Sequence, residues 1–169
     1  MKKSLILVFT ILTLSFFMFS EVKIGVINAQ EIIAKTKKGI NVQKKLENLQ
    51  KSKQQQLEGL QNVLKQLQKD AVSPALNAET REKKKREFED KQIQYKRQLQ
   101  DAQKDMSEAT QKELAALQTE IMPLIQEIGK NKGFTLILDM TGSGIAYFDQ
   151  AIDITNDVVK AVDAKFPGN

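Results

Sequence analysis

The chain has 169 residues, a formal net charge of +5, 28% charged side chains and 6% aromatic ones. It contains no histidine and no cysteine. That excludes zinc sites of the usual type, cysteine and Ser-His nucleophiles, and disulfides. High charge with few aromatics fits a long exposed helix better than a large packed core.

Lys2 and Lys3 precede an apolar run, Leu5 to Phe19, that ends at Ser20. A basic stretch followed by an apolar run of about 15 residues has the form of a signal peptide and is short for a membrane span. Residues 1–20 are therefore expected to be removed, with cleavage after Ser20. A retained anchor is the alternative. No cysteine follows the apolar run, so a lipoprotein anchor does not apply.

Lys23-Ile-Gly-Val-Ile-Asn28 reads as a short buried strand. Asn28 with Glu31 three residues on forms a capping box, and Ile27 with Ile32 a hydrophobic staple, so the strand should feed a helix at Ala29. Gly39 after Thr36-Lys37-Lys38 predicts a kink or junction.

From Ile40 to Ile128 the chain is polar and periodic. Val42, Leu46, Leu49, Leu60, Val63 and Leu67 fit alternating four- and three-residue steps, with Lys53 and Gln56 as polar lapses. Phe88, Tyr95, Leu99, Ala102, Met106 and Ala109 continue the rhythm with Gln92 as a lapse; the seam then slips one residue and resumes at Leu114, Leu117, Ile121, Leu124 and Ile128. Such spacing lines one helix face and makes a coiled-coil seam. Ser73-Pro74 breaks it, and Asn77 or Thr80 can cap the next helix. The reading is an antiparallel helical hairpin over residues 40–128, with arms Ile40 to Ala71 and Ala78 to Lys130 and a tip near 72–78. Pro123 should kink the second arm or restart it where the arm enters a packed body.

Beyond Gly133 the chemistry changes. Phe134 to Met140 and Ile145 to Phe148 read as two strands joined by Thr141-Gly-Ser-Gly144, together a β-hairpin. Asp153 or Thr155 caps a last amphipathic helix carrying Ile154, Val158, Val159, Val162 and Phe166, ended by Pro167-Gly168. The fold class is α+β: a long hairpin inserted in a small body made of residues 21–39 and 129–169. A body of roughly 50 residues with open strand edges is expected to self-associate. Ile24, Val26, Leu136, Ile137, Leu138, Ile145 and Tyr147 are the residues expected to carry that association.

Both ends resemble the Skp/OmpH family of periplasmic chaperones. The resemblance rests on Lys23 to Asn28, Thr36-Lys-Lys-Gly39, Gln43-Lys-Lys-Leu-Glu47, Gly133 to Asp139, Ile145-Ala-Tyr147 and Asp153-Ile-Thr155 before Val158. It implies a periplasmic homotrimer whose strands join in a central body, with hairpin tentacles enclosing a cavity. It also implies an ATP-independent holdase for unfolded outer-membrane β-barrel proteins. A structural adaptor of the envelope, binding defined partners through the hairpin, is the alternative.

No enzyme, cofactor or metal site is expected. Gly142-Ser-Gly144 lacks the Gly-Lys-Ser/Thr of a phosphate loop and precedes a strand, so it reads as a turn. From Lys65 to Arg97 ten Lys/Arg face six Asp/Glu, whereas Lys132 to Asn169 holds three basic and five acidic residues. The hairpin tip is thus basic and the C-terminal segment acidic. Lys83, Lys84, Lys85 and Arg86 are the densest basic run and the expected contact for acidic clients or an anionic surface. Contact with an anionic membrane or lipopolysaccharide is a further expectation that is not tied to particular residues. Nucleic acid is not expected, since the chain is exported and has no recognition motif.

Overall fold

The computed structural model describes residues 22–167. The signal-peptide expectation and the start at Glu21 lie outside them. The order is β1 (Ile24–Ile27), α1 (Ala29–Lys35), α2 (Lys37–Ala71), α3 (Ala78–Asn131), β2 (Leu136–Asp139), a 3-10 turn (Gln150–Ile152) and α4 (Thr155–Lys165). Among the described residues, no helix is long and apolar enough to cross a membrane.

Local signals set most boundaries. Asn28 caps α1, its side chain accepting from Glu31 N at 3.0 Å. Thr36 is at once the C-cap of α1 and the N-cap of α2. Gly39 is required at this junction, because a Cβ there would lie 1.9 Å from the Ile33 carbonyl oxygen. Asn77 caps α3 by accepting from Thr80 N at 2.8 Å. Asp153 accepts from Thr155 N at 2.8 Å at the start of α4.

β1 and β2 pair in parallel, Ile24 with Leu136 through Ile27 with Asp139. The whole hairpin is therefore a crossover between two adjacent strands. The expected β-hairpin is not formed: Ile145 to Phe148 is irregular, and the strand beside β2 comes from the other end of the chain. The connecting segment is not a tight two-residue turn: Gly142 and Gly144 adopt φ of 78° and 69° but are separated by Ser143, whereas a type I′ hairpin turn needs positive φ at two consecutive positions.

The core lies where the body meets the root of the arm. Ile27, Ile32, Leu117, Ile121, Ile154, Val158 and Val162 form one buried cluster, with Val42, Leu124, Ile125 and Ile128 packed on it. Thr36 and Thr155 are the buried polar residues, and each is bonded: Thr36 Oγ1 accepts from Gly39 N and Thr155 Oγ1 from Asn28 N. α3 runs unbroken through Pro123. Pro123 and Thr119, whose carbonyl loses its partner, are both exposed, so water can satisfy that carbonyl.

The seam differs in detail from the sequence pattern. Leu57 and Leu64 turn inward, while Gln56 is exposed and Val63 is 43% exposed. On α3, Glu113 turns inward and Leu114 is 42% exposed. An alternating 3–4 template averages 3.5 residues per turn, whereas a straight helix has 3.6, so an extra four-residue step accumulates over this length. Leu64→Ala should thus lower stability by about 2 kcal/mol and Val63→Ala by well under 1 kcal/mol. Urea unfolding of the two variants checks this; equal losses would contradict the inward assignment of Leu64.

Candidate functional site

Among the described residues no group of His, Cys, Asp or Glu could hold a metal ion. The chemistry available is that of surfaces: the tip, the flanks of the arms, and the body.

At the tip, Arg81 is used structurally. Its guanidinium donates to Leu76 O at 2.6 Å and Ser73 O at 3.5 Å, tying the loop to the first turn of α3. The next residues cannot share one face, since successive positions turn by about 100°. Lys83, Lys85 and Arg86 are exposed, whereas Lys84 is half-buried with its Nζ donating to Glu87 at 2.8 Å. That hydrogen bond is the main reason Lys84 titrates above its ordinary value; partial desolvation opposes it, and the charges of Glu87 and Asp70 add to it. Glu87 is held below the ordinary glutamate value, first by the hydrogen bond from Lys84, against some desolvation and with help from the charges of Lys84 and Lys83. The four consecutive cations are thus three outward charges and one neutralised strut.

Along the arms, three ion pairs join α2 to α3: Lys38–Glu120, Lys45–Glu113 and Lys53–Asp105. Lys38 also lies 4.1 Å above the Phe166 ring, linking the lowest pair to the end of α4. Around Lys53 the apolar seam lapses, leaving a polar cleft of about 230 Å³ lined by Gln56, Leu57, Gln98, Asp101, Ala102 and Asp105.

In the body, β1 has neighbours on both edges. β2 occupies one, and on the other Ile154 N donates to Val26 O at 2.9 Å. β2 is open. Leu136 N and Met140 N donate to Lys23 O and Ile27 O. Backbone groups alternate sides along a strand, so those of Ile137 and Asp139 point to the other edge, where no strand lies among the described residues. Of the body residues named from sequence, Leu136 is 47% and Tyr147 86% exposed, and Ile24, paired with Leu136, is exposed too. Ile137, Leu138 and Ile145 are half-buried, and Val26 is buried within its own chain. The sequence reading missed an apolar groove of about 340 Å³ at the root of the arm. Ile33, Leu114, Ile121, Met122 and Ile125 are among its lining residues. The exposed Leu114 and Met122 there were hidden by assigning Leu114 to the seam.

The family description "Outer membrane protein (OmpH-like)" matches residues 23–162. The chain belongs to the OmpH-like family. The match spans both halves of the body and the hairpin, as the resemblance of the two ends implied. No curated protein sequence matches the chain. Among solved structures, it is similar to an OmpH-like protein from Caulobacter crescentus CB15, described as a proposed outer membrane chaperone. The two are 22% identical, each covered over 84% of its length, with a TM-score of 0.73. At that identity the likeness establishes the shared fold.

A carboxyl titration followed by NMR should find Glu87 below an ordinary glutamate, and Lys84→Ala should move it back up. A carboxyl with a depressed folded pKa stabilises the fold above its unfolded pKa, and that contribution fades as pH falls through the folded value. An unchanged Glu87 titration in Lys84→Ala would contradict the strut.

Proposed function

We propose that this OmpH-like chain is an ATP-independent periplasmic holdase for unfolded outer-membrane β-barrel proteins. The observation that carries the reading is the arm: α3 has 54 residues, about 80 Å of helix, much of it packed against one other helix alone. A coiled coil of that length reaches far beyond its own body, and several side by side would bound a space. Family membership and the chaperone description of the Caulobacter crescentus relative support the same reading. The basic-apolar N-terminus supports export to the periplasm.

We infer that copies assemble through the body, as a trimer in keeping with the Skp/OmpH resemblance. The open edge of β2 and the exposed Ile24, Leu136 and Tyr147 support this, because an unpaired edge beside apolar side chains recruits another chain. Ile145 to Phe148, which has no strand partner among the described residues, is the segment suited to that edge. Val26, Ile137, Leu138 and Ile145 contribute by shaping the strands and their junction. Clients are held between the arms by many weak contacts, with Lys83, Lys85 and Arg86 assisting encounter. The same cations would serve an anionic membrane or lipopolysaccharide surface.

Leu136→Asp with Tyr147→Ser should give single chains of unchanged helix content by sedimentation and circular dichroism, since neither side chain belongs to the chain's own core. An unchanged mass would count against assembly through this face. The holdase itself is tested by dilution of a urea-unfolded outer-membrane β-barrel protein with and without the chain. Suppressed light scattering is expected; if unrelated barrel proteins aggregate regardless, an adaptor role replaces it.

Lys83, Lys84, Lys85 and Arg86 all changed to Glu should slow stopped-flow capture of an acidic client at low salt. The defect should shrink near 0.5 M salt, where screening acts within a few Å. Wild-type capture rates at low salt would rule out steering by the tip.

A further inference from the structure

The three inter-arm ion pairs have a common polarity and a common register. Each has its lysine on α2 and its carboxylate on α3. From Lys38 to Lys45 is seven residues up α2, matched by seven down α3 from Glu120 to Glu113; from Lys45 to Lys53 is eight, matched by eight from Glu113 to Asp105. Seven residues fall about 20° short of two helical turns and eight overshoot them by about 80°, so the rungs follow the α2–α3 contact while shifting across it, Lys45 lying outside the seam and Lys53 within it. Lys53 and Glu113 stand at inward positions of seams that are carried largely by apolar residues such as Leu49, Leu57, Ala109 and Leu117. A polar residue at such a position lowers affinity for a generic partner and specifies the correct one.

We propose that these rungs are a pairing code that keeps each hairpin closed on itself and prevents arms of neighbouring copies from zipping together. Two α2 helices placed side by side would set Lys against Lys, and two α3 helices would set carboxylate against carboxylate. α2 with α3 alone satisfies every rung. The short loop between Ala71 and Ala78 then favours the α3 of the same chain, because a tethered partner is present at high effective concentration. Under the assembly reading, on which the functional consequence rests, the code holds the space between arms open. Without it, long apolar seams brought together by one body would collapse onto each other.

The test leaves Lys38 in place, because it also contacts Phe166. Lys45→Glu with Lys53→Glu should lower the thermal midpoint, since an exposed pair shifts an equilibrium by roughly 1.5- to 5-fold and repulsion adds to the loss. Adding Asp105→Lys and Glu113→Lys, which inverts both rungs, should restore it. Failure of the inverted chain to recover would overturn the code. In a second variant Lys45, Lys53, Asp105 and Glu113 all become Leu. It should keep its helix content but form species larger than wild type, with concentration-dependent mass by sedimentation. A control places four Leu at the exposed positions Ser52, Gln55, Gln103 and Ser107. If the rung variant has the wild-type mass at every concentration, or if the control associates equally, the proposal is wrong. The wild-type mass in the same runs judges the assembly reading separately: a wild-type monomer sinks that reading, while added mass in the rung variant still speaks for the code.

Discussion

The packing of Leu117 and Ile121 against Ile32, Val158 and Val162 is the constraint on which the rest depends. The body has two four-residue strands and two short helices of its own. That is too little apolar surface to close a core alone. The root of the hairpin supplies the missing wall. The parallel pairing of β1 with β2 then follows from geometry: α1 leads from the end of β1 into α2 and α3 returns to the start of β2, so the antiparallel arms deliver the chain back beside its own beginning. The arm is both the projecting element and a structural member of the body, and a change at its root would be felt in both.

Most of this architecture could be read from the residues, and the errors share a cause. Caps and breakers act within a few residues, so Asn28, Thr36, Gly39 and Asn77 marked real boundaries. The β-hairpin failed because strand pairing is not a local property: β2 pairs with β1 from the other end of the chain. Ile145 to Phe148 has strand composition, yet the Gly142-Ser143-Gly144 segment does not fold it back onto β2, whose second edge stays open among the described residues. The seam failed at Val63 and Leu114 because a rigid template ignores the drift of a straight helix. That drift hid the groove at the root of the arm. The basic run was legible as charge but not as shape, since Lys84 turns to Glu87 and leaves three outward cations.

Pro123 illustrates how position decides cost. In a buried helix interior the lost hydrogen bond and the ring clash would be worth about 3 kcal/mol. Here Pro123 and Thr119, whose carbonyl it deprives, are both exposed residues, while Ile121 and Leu124 beside it remain inward. The core contacts of the helix hold it on both sides of the proline. The residue that looked like a boundary is therefore an accommodated feature inside the root.

The arm beyond Leu117 follows a different balance from the body. Its seam is narrow, it is interrupted by Lys53 and Glu113, and among the residues it turns toward α2 only Ala102 is buried between Ala78 and Leu117. Regions with few buried apolar contacts open at low free-energy cost compared with the core. Ion pairs restore partner choice at these interruptions without restoring much stability, because exposed pairs contribute little net energy. Stiffness and specificity are thereby separated: apolar packing at the root anchors the arm, while charge along its length says which helix to pair with and leaves the arm free to bend. A holdase of the kind proposed would need that combination: strong apolar packing along the whole arm would stiffen it, and without the charges the arms of assembled copies would close on one another.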